Sequence, residues 1–198
     1  MKTICSDFMG SFRLGDNIVH NLGTLKVLYE VQNNGSYEVR KFLRKPIIVT
    51  IGSIAEAVLY DLYLRINSYV LEGVPNIPES VIEEIRTKTI DEFAKYITNA
   101  KSKNLLGEDP SIYDALDELR KLRNRVHIQN SKNHFESGEW DAFSLNRQRS
   151  SEKTLERLLT IMESKYTRKG VGGFVGSFEL PWEPHIKAQQ AADSSTTR

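Results

Sequence analysis

The sequence predicts an all-α fold. Apolar residues recur at helical spacing over most of residues 17–168, and no run alternates with strict period two. Helix-ending and helix-starting signals, Asn33-Asn34-Gly35, Gly73 to Pro78, Gly107 and Asp109-Pro110, cut that pattern into segments of ordinary helix length. There is no internal repeat and no heptad series long enough for a coiled coil. The expectation is a bundle of about five helices in a single domain over residues 1–169, followed by an irregular extension over 170–198.

Each element has its own local reason. Asp16 can cap a first helix that starts near Asn17 and presents Val19, Leu22, Leu25, Leu28 and Tyr29. A second helix is expected from about Val39 to Val70, with Pro46 marking its start or a kink because proline lacks the interior N–H. From Lys45 to Asp61 nearly every residue is apolar or small, so this helix is expected to be buried on most of its circumference and to form the central post.

A third helix opens at Glu79 or Ser80 and carries Val81, Ile82, Ile85, Ile90, Phe93 and Ile97 before Gly107 closes the unit. Asp109-Pro110 starts a fourth, an acidic cap followed by proline at the first helical position. It continues through Ile112, Leu116, Leu119 and Val126 towards Ile128, and residues 130–138 read as a polar loop. Ser150 or Ser151 opens a fifth helix through Leu155, Leu158, Leu159 and Met162, ending near Lys169-Gly170. The glycine-rich extension then either docks Phe174, Phe178 and Trp182 on the core or runs as a flexible arm, and residues 188–198, with no large apolar side chain, are expected to be disordered.

The chain has 198 residues, 27 Lys plus Arg against 26 Asp plus Glu, and a formal charge of +1. Near-neutrality argues against wrapping nucleic acid non-specifically, although a local basic patch can coexist with it. The single cysteine, Cys5, excludes an intrachain disulfide framework and multi-cysteine metal sites, and favours a reducing, cytoplasmic setting. No apolar run of signal-peptide length follows Lys2. The longest apolar stretch, Pro46 to Leu64, contains Glu56 and Asp61, which makes it a poor membrane helix.

The fourth helix carries the anomaly. At about 100° per residue, Arg123 falls near the middle of the apolar stripe, with Arg120 three residues before it and His127 four after. A guanidinium cannot shed its proton, so a buried one needs a partner. Glu56, the single charged side chain between Pro46 and Tyr60, is the natural candidate. Two readings follow: a structural Arg123–Glu56 pair within a helical bundle, or a site where arginines hold a phosphate and a histidine moves a proton near neutral pH.

The segment from Leu116 to Asn130, LDELRKLRNRVHIQN, resembles the signature helix of HEPN domains. These are small all-α domains, many of them metal-independent RNases of toxin–antitoxin, abortive-infection and CRISPR-linked systems. Their motif is an arginine, usually followed by a polar residue such as Asn, with a histidine after four to six intervening residues. Arg123-Asn124 supplies the dipeptide but has three residues before His127, whereas Arg120 has six and is followed by Lys121. Both arginines remain candidates for the motif position. The upstream segment Ile54-Ala55-Glu56-Ala57-Val58-Leu59 matches the family's acid-bearing apolar helix, and the resemblance covers residues 17–168.

The resemblance implies a metal-independent endoribonuclease without cofactor. His127 would serve as general acid or base while a ribose 2′-hydroxyl attacks the adjacent phosphate, leaving a 2′,3′-cyclic phosphate. Arg120 or Arg123 would hold the phosphate and Asn124 would orient the arginine or the RNA, with Glu56 in support. It also implies a cytoplasmic bacterial homodimer acting on RNA, with an antitoxin or other regulatory protein as a further partner. The alternative is a catalytically inactive HEPN-like module that binds a protein or nucleotide.

Other chemistry-bearing residues have plainer readings. His20 and His134 lack ligand-like spacing to other metal-binding residues, and His185 sits in an extension expected to cap the core. Glycines 170, 172, 173 and 176 follow no predicted strand, so they do not read as a phosphate-cradling loop. Two basic groups, Lys41, Arg44 and Lys45 before the apolar helix and Arg147, Arg149, Lys153 and Arg157 near the fifth, are solvated faces unless they flank a nucleic-acid cleft.

Overall fold

A computed structural model of the chain describes residues 2–68, 74–126, 138–168, 170 and 174–182. Among them lie seven helices and two short strands: β1 (Lys2–Ile4), α1 (Phe12–Asn34), α2 (Tyr37–Asn67), α3 (Glu79–Arg86), α4 (Phe93–Ser102), α5 (Ser111–Asn124), α6 (Glu139–Ala142), α7 (Leu145–Tyr166) and β2 (Phe178–Leu180). The fold is all-α, with α2 as its post: α1, α5 and α7 pack along it, and α3 and α4 close one side.

The local chemistry accounts for the boundaries. Ser11 caps α1 by accepting from the Leu14 amide at 3.3 Å, so this helix starts five residues before the expected Asn17. Ser36 and Ser144 cap α2 and α7 in the same way, through the amides of Val39 and Arg147. The last of these starts α7 at Leu145 rather than at Ser150 or Ser151. In each case a serine hydroxyl, invisible to apolar periodicity, satisfies an amide of the first turn. Pro46 lies inside α2, where it removes only its own N–H bond and the helix runs on to Asn67.

Ile47, Ile48, Ile51, Ile54, Ala55, Val58, Leu59, Leu62 and Ile66 of α2 are all buried, as their run predicted. By length and composition α2 could cross a membrane, but most of its apolar window is covered by the rest of the chain.

The bundle has more elements than five. The expected third helix is divided into α3 and α4 across Thr87 to Glu92, where the Thr87 hydroxyl donates to the Glu84 carbonyl and competes with helix continuation. The break lets Ile85 and Phe93 both face the core. Helix α6 is a single turn that periodicity could not register. In the extension, β2 pairs antiparallel with β1, Thr3 opposite Glu179, and Phe178, Leu180 and Trp182 are buried. Of the two alternatives for the extension, docking holds for Phe178 and Trp182 but not for Phe174, which is exposed. Strands of three residues are too short to show an alternating pattern. Residues 188–198 lie outside the described residues.

A buried polar network joins α1 to α7. Gln32 and Gln148 exchange side-chain amide bonds at 3.0 Å, and Glu152 accepts from Tyr29 Oη at 2.5 Å and from Gln148 Nε2 at 3.0 Å. Burial pushes the Glu152 carboxyl above the ordinary carboxylate range, further than its donors and the charges of Arg149 and Lys153 pull it down. A raised folded-state pKa favours folding at pH below the ordinary carboxylate value, and that contribution is lost as pH rises through the raised value. Glu152→Gln removes this slope. Its stability relative to wild type, read from urea midpoints, should therefore be higher at pH 8 than at pH 5, and an equal difference at both would contradict the assignment.

Candidate functional site

The site is built where α5 crosses α2. Asp109 Oδ1 accepts from the Ser111 amide at 2.9 Å, and α5 starts at Ser111 with Pro110 (φ −65°, ψ −21°) at its N-cap, one residue later than the sequence predicted. Ile112, Leu116 and Leu119 then face the core. The helix ends at Asn124, its last turn tightened by bonds from the Arg125 amide to the Leu122 carbonyl and from the Val126 amide to the Arg123 carbonyl, each 3.2 Å. Val126, expected on the apolar stripe, is instead 49% exposed, because the stripe stops with the helix.

Gly52 and Glu56 lie one turn apart on the face of α2 that meets α5. The stem of Arg123 crosses Gly52, where a Cβ would come within 2.8 Å of Arg123 Cβ and 3.2 Å of its Cγ. The guanidinium then reaches Glu56: Nη2 donates to Glu56 Oε2, while Nη1 donates to Asn124 Oδ1 at 3.1 Å. The expected Arg123–Glu56 pair thus forms, but at the rim of the bundle, with the two side chains 34% and 25% exposed. Two donors are held by fixed acceptors, and the remaining N–H groups of this fork can meet an anion.

Gly52→Ala tests that packing. Overpacking against Arg123 Cβ costs about 1–3 kcal/mol, more than the ~1 kcal/mol that alanine adds over glycine inside a helix. A net loss of about 1 kcal/mol is expected in urea unfolding, whereas a raised midpoint would show the crossing to be loose.

Arg120 stays within its own helix, its Nε and Nη2 both 2.8 Å from Asp117 Oδ1. Burial pushes the Asp117 carboxyl up, but hydrogen bonds from Arg120 and Lys121 hold it below its ordinary value. Along α2, Tyr60 follows Glu56 by one turn and its ring centre is 6.3 Å from that of Tyr96. Burial, Tyr60 and the Glu56 charge raise the Tyr96 phenol. The structure therefore brings together Arg123, Asn124 and Glu56, and leaves Arg120 beside them on Asp117. His127 lies outside the described residues, as do His134 and His185, and the helical spacing that related His127 to Arg123 stops at Asn124.

The deeply buried arginine of this region is one that the helical stripe does not single out. Arg125, at the end of α5, has a side chain only 9% exposed, with Nε 3.8 Å from Glu139 Oε1. It sits at the C-cap, off the apolar stripe, and Glu139 belongs to the single-turn α6, so neither partner carried a sequence signal. Among the basic groups, Arg157 fastens α7 to the start of α5 through Asp109 at 2.6 Å and Ser111 Oγ at 2.8 Å. Lys41 and Lys45 line a cavity beside Trp140. Among the described residues, no three His, Cys, Asp or Glu side chains gather as a metal-binding group.

Comparison with models of known protein families, with curated proteins and with solved structures finds no match for this chain.

Proposed function

We propose that the chain is a HEPN-like, metal-independent endoribonuclease that acts as a homodimer. The observation that carries this reading is the Arg123 guanidinium, about a third exposed at the rim of the bundle and held by Glu56 on one side and Asn124 on the other. That is a preorganised donor for a phosphate whose charge grows during attack by the 2′-hydroxyl. Of the two arginines, Arg123 takes the motif role in this reading, because Arg120 is engaged by Asp117 of its own helix. His127, three residues past the end of α5 in sequence, supplies the proton transfer, work for which the unperturbed imidazole pKa of ~6.5 is suited. In this reading a second copy, related by a two-fold axis, brings its own His127 and Arg123 to a cleft between the two copies.

One observation favours the rival reading, an inactive HEPN-like module for a protein or nucleotide partner: Glu56 already neutralises Arg123. The two separate in one experiment. Mixed cellular RNA is incubated in EDTA with wild type and with a His127→Ala variant of matched folding and dimerisation. Cleavage with 2′,3′-cyclic phosphate ends, slowed about 10²–10⁴-fold in the variant, is expected of the nuclease. No cutting by either protein across several RNAs would leave the binding module.

A further inference from the structure

We propose that the cavity between α2 and α6 is a stacking site for a base of single-stranded RNA; the choice of RNA as ligand rests on the nuclease reading. The cavity, about 220 Å³, is lined by Lys41, Phe42, Lys45, Glu139, Trp140 and Phe143. Phe42 and Trp140 are 63% and 53% exposed, their ring centres 5.2 Å apart. The outward position of Trp140 is built in, because the same turn sends Ala142 and Phe143 into the core. Neighbouring exposed aromatics in a concavity mark a binding surface.

The cations choose the partner. Lys41 Nζ stands 4.5 Å from the centre of the Trp140 ring and 5.1 Å from that of Tyr37, and Lys45 Nζ is 5.4 Å from the Phe143 ring centre. Two lysines against the one carboxylate of Glu139 leave the cavity positive. An apolar protein ridge laid here would strip water from both ammonium groups without replacing it. A nucleotide presents what the cavity lacks, a flat π-face for the rings and a phosphate for the lysines. The cavity is also tied to the motif helix: Lys45 Nζ holds Glu139 Oε2 at 2.5 Å, and Glu139 Oε1 faces Arg125 immediately after Arg123-Asn124.

The probe is a 2′-O-methyl oligouridine of about 12 nucleotides, within the usual span of single-strand sites. It has no free 2′-hydroxyl, so its binding is independent of cleavage. Trp182 is 1% exposed, so quenching of the exposed indole reports Trp140. Saturable quenching by the full chain is expected. Binding by polarisation of a labelled oligomer should weaken about tenfold in Trp140→Ala and in Phe42→Ala. The double variant Lys41→Gln/Lys45→Gln should flatten the slope of log affinity against log salt by about 1.4.

All three variants alter exposed or partly exposed side chains, and matched circular dichroism controls for folding. No binding by wild type, or binding unchanged in all three variants, overturns the proposal. So does self-association that Trp140→Ala abolishes, which would assign the cavity to a second copy. Binding that follows the expected pattern without RNA cleavage upholds the stacking site while overturning the nuclease. Cleavage indifferent to Trp140, with no oligomer binding, does the reverse.

Discussion

Asp61→Ala is expected to lower stability by about 3–5 kcal/mol, as for a buried charge group whose partners are left behind. For a chain of this length that is a fall of about 10 °C in melting temperature. Asp61 is fully buried on α2, and its carboxylate accepts from the Gly10 amide at 2.7 Å and the Ser11 amide at 2.9 Å. One turn on, Arg65 Nη1 donates to the Phe8 carbonyl at 2.6 Å and the Tyr166 carbonyl at 3.0 Å. Together they fasten the loop between β1 and α1 onto the post.

Truncation leaves two amides without acceptors in a dry setting. Gly10 leaves no room for the loop to adjust, since a Cβ there would come 2.5 Å from Arg65 Cγ. Asp61→Asn should recover only part of the loss, because its NH₂ would oppose an amide N–H. Urea unfolding of both variants measures this, and a loss under 1 kcal/mol for alanine would mean that the loop is held elsewhere.

Arg123→Ala is expected to lower RNA cleavage by about 10²–10³-fold, the usual effect of removing one donor that meets developing charge. Stability should change little. The Arg123–Glu56 pair is a quarter to a third exposed, and such pairs contribute about 0–1 kcal/mol; Glu56 can hydrate once released. The contrast between the two readouts identifies the role. A variant that cleaves normally but unfolds several kcal/mol earlier would make the pair a structural clamp. Single-turnover kinetics with saturating RNA would show the loss in the chemical step.

Sequence alone determined the helical class and the central post, because a largely apolar run from Pro46 to Leu62 has to be surrounded. It placed the start of α5 to within a residue, because Asp109-Pro110 favours a helix start, and it named Glu56 as the partner of Arg123, because a guanidinium on a helix needs an acceptor and Glu56 is the one charged side chain between Pro46 and Tyr60. Tertiary structure decided what depends on residues far apart in the chain. Pairing of Lys2–Ile4 with Phe178–Leu180 brings the two ends of the fold together, and no short-range period encodes it. Where α5 stops, which moves Val126 into solvent, and which arginine becomes buried, Arg125 beside Glu139 rather than Arg123, were decided by packing at the crossing of α5, α2 and α6. Helical spacing gives the direction of a side chain around one axis; its depth depends on the neighbouring helices, which only the folded chain supplies.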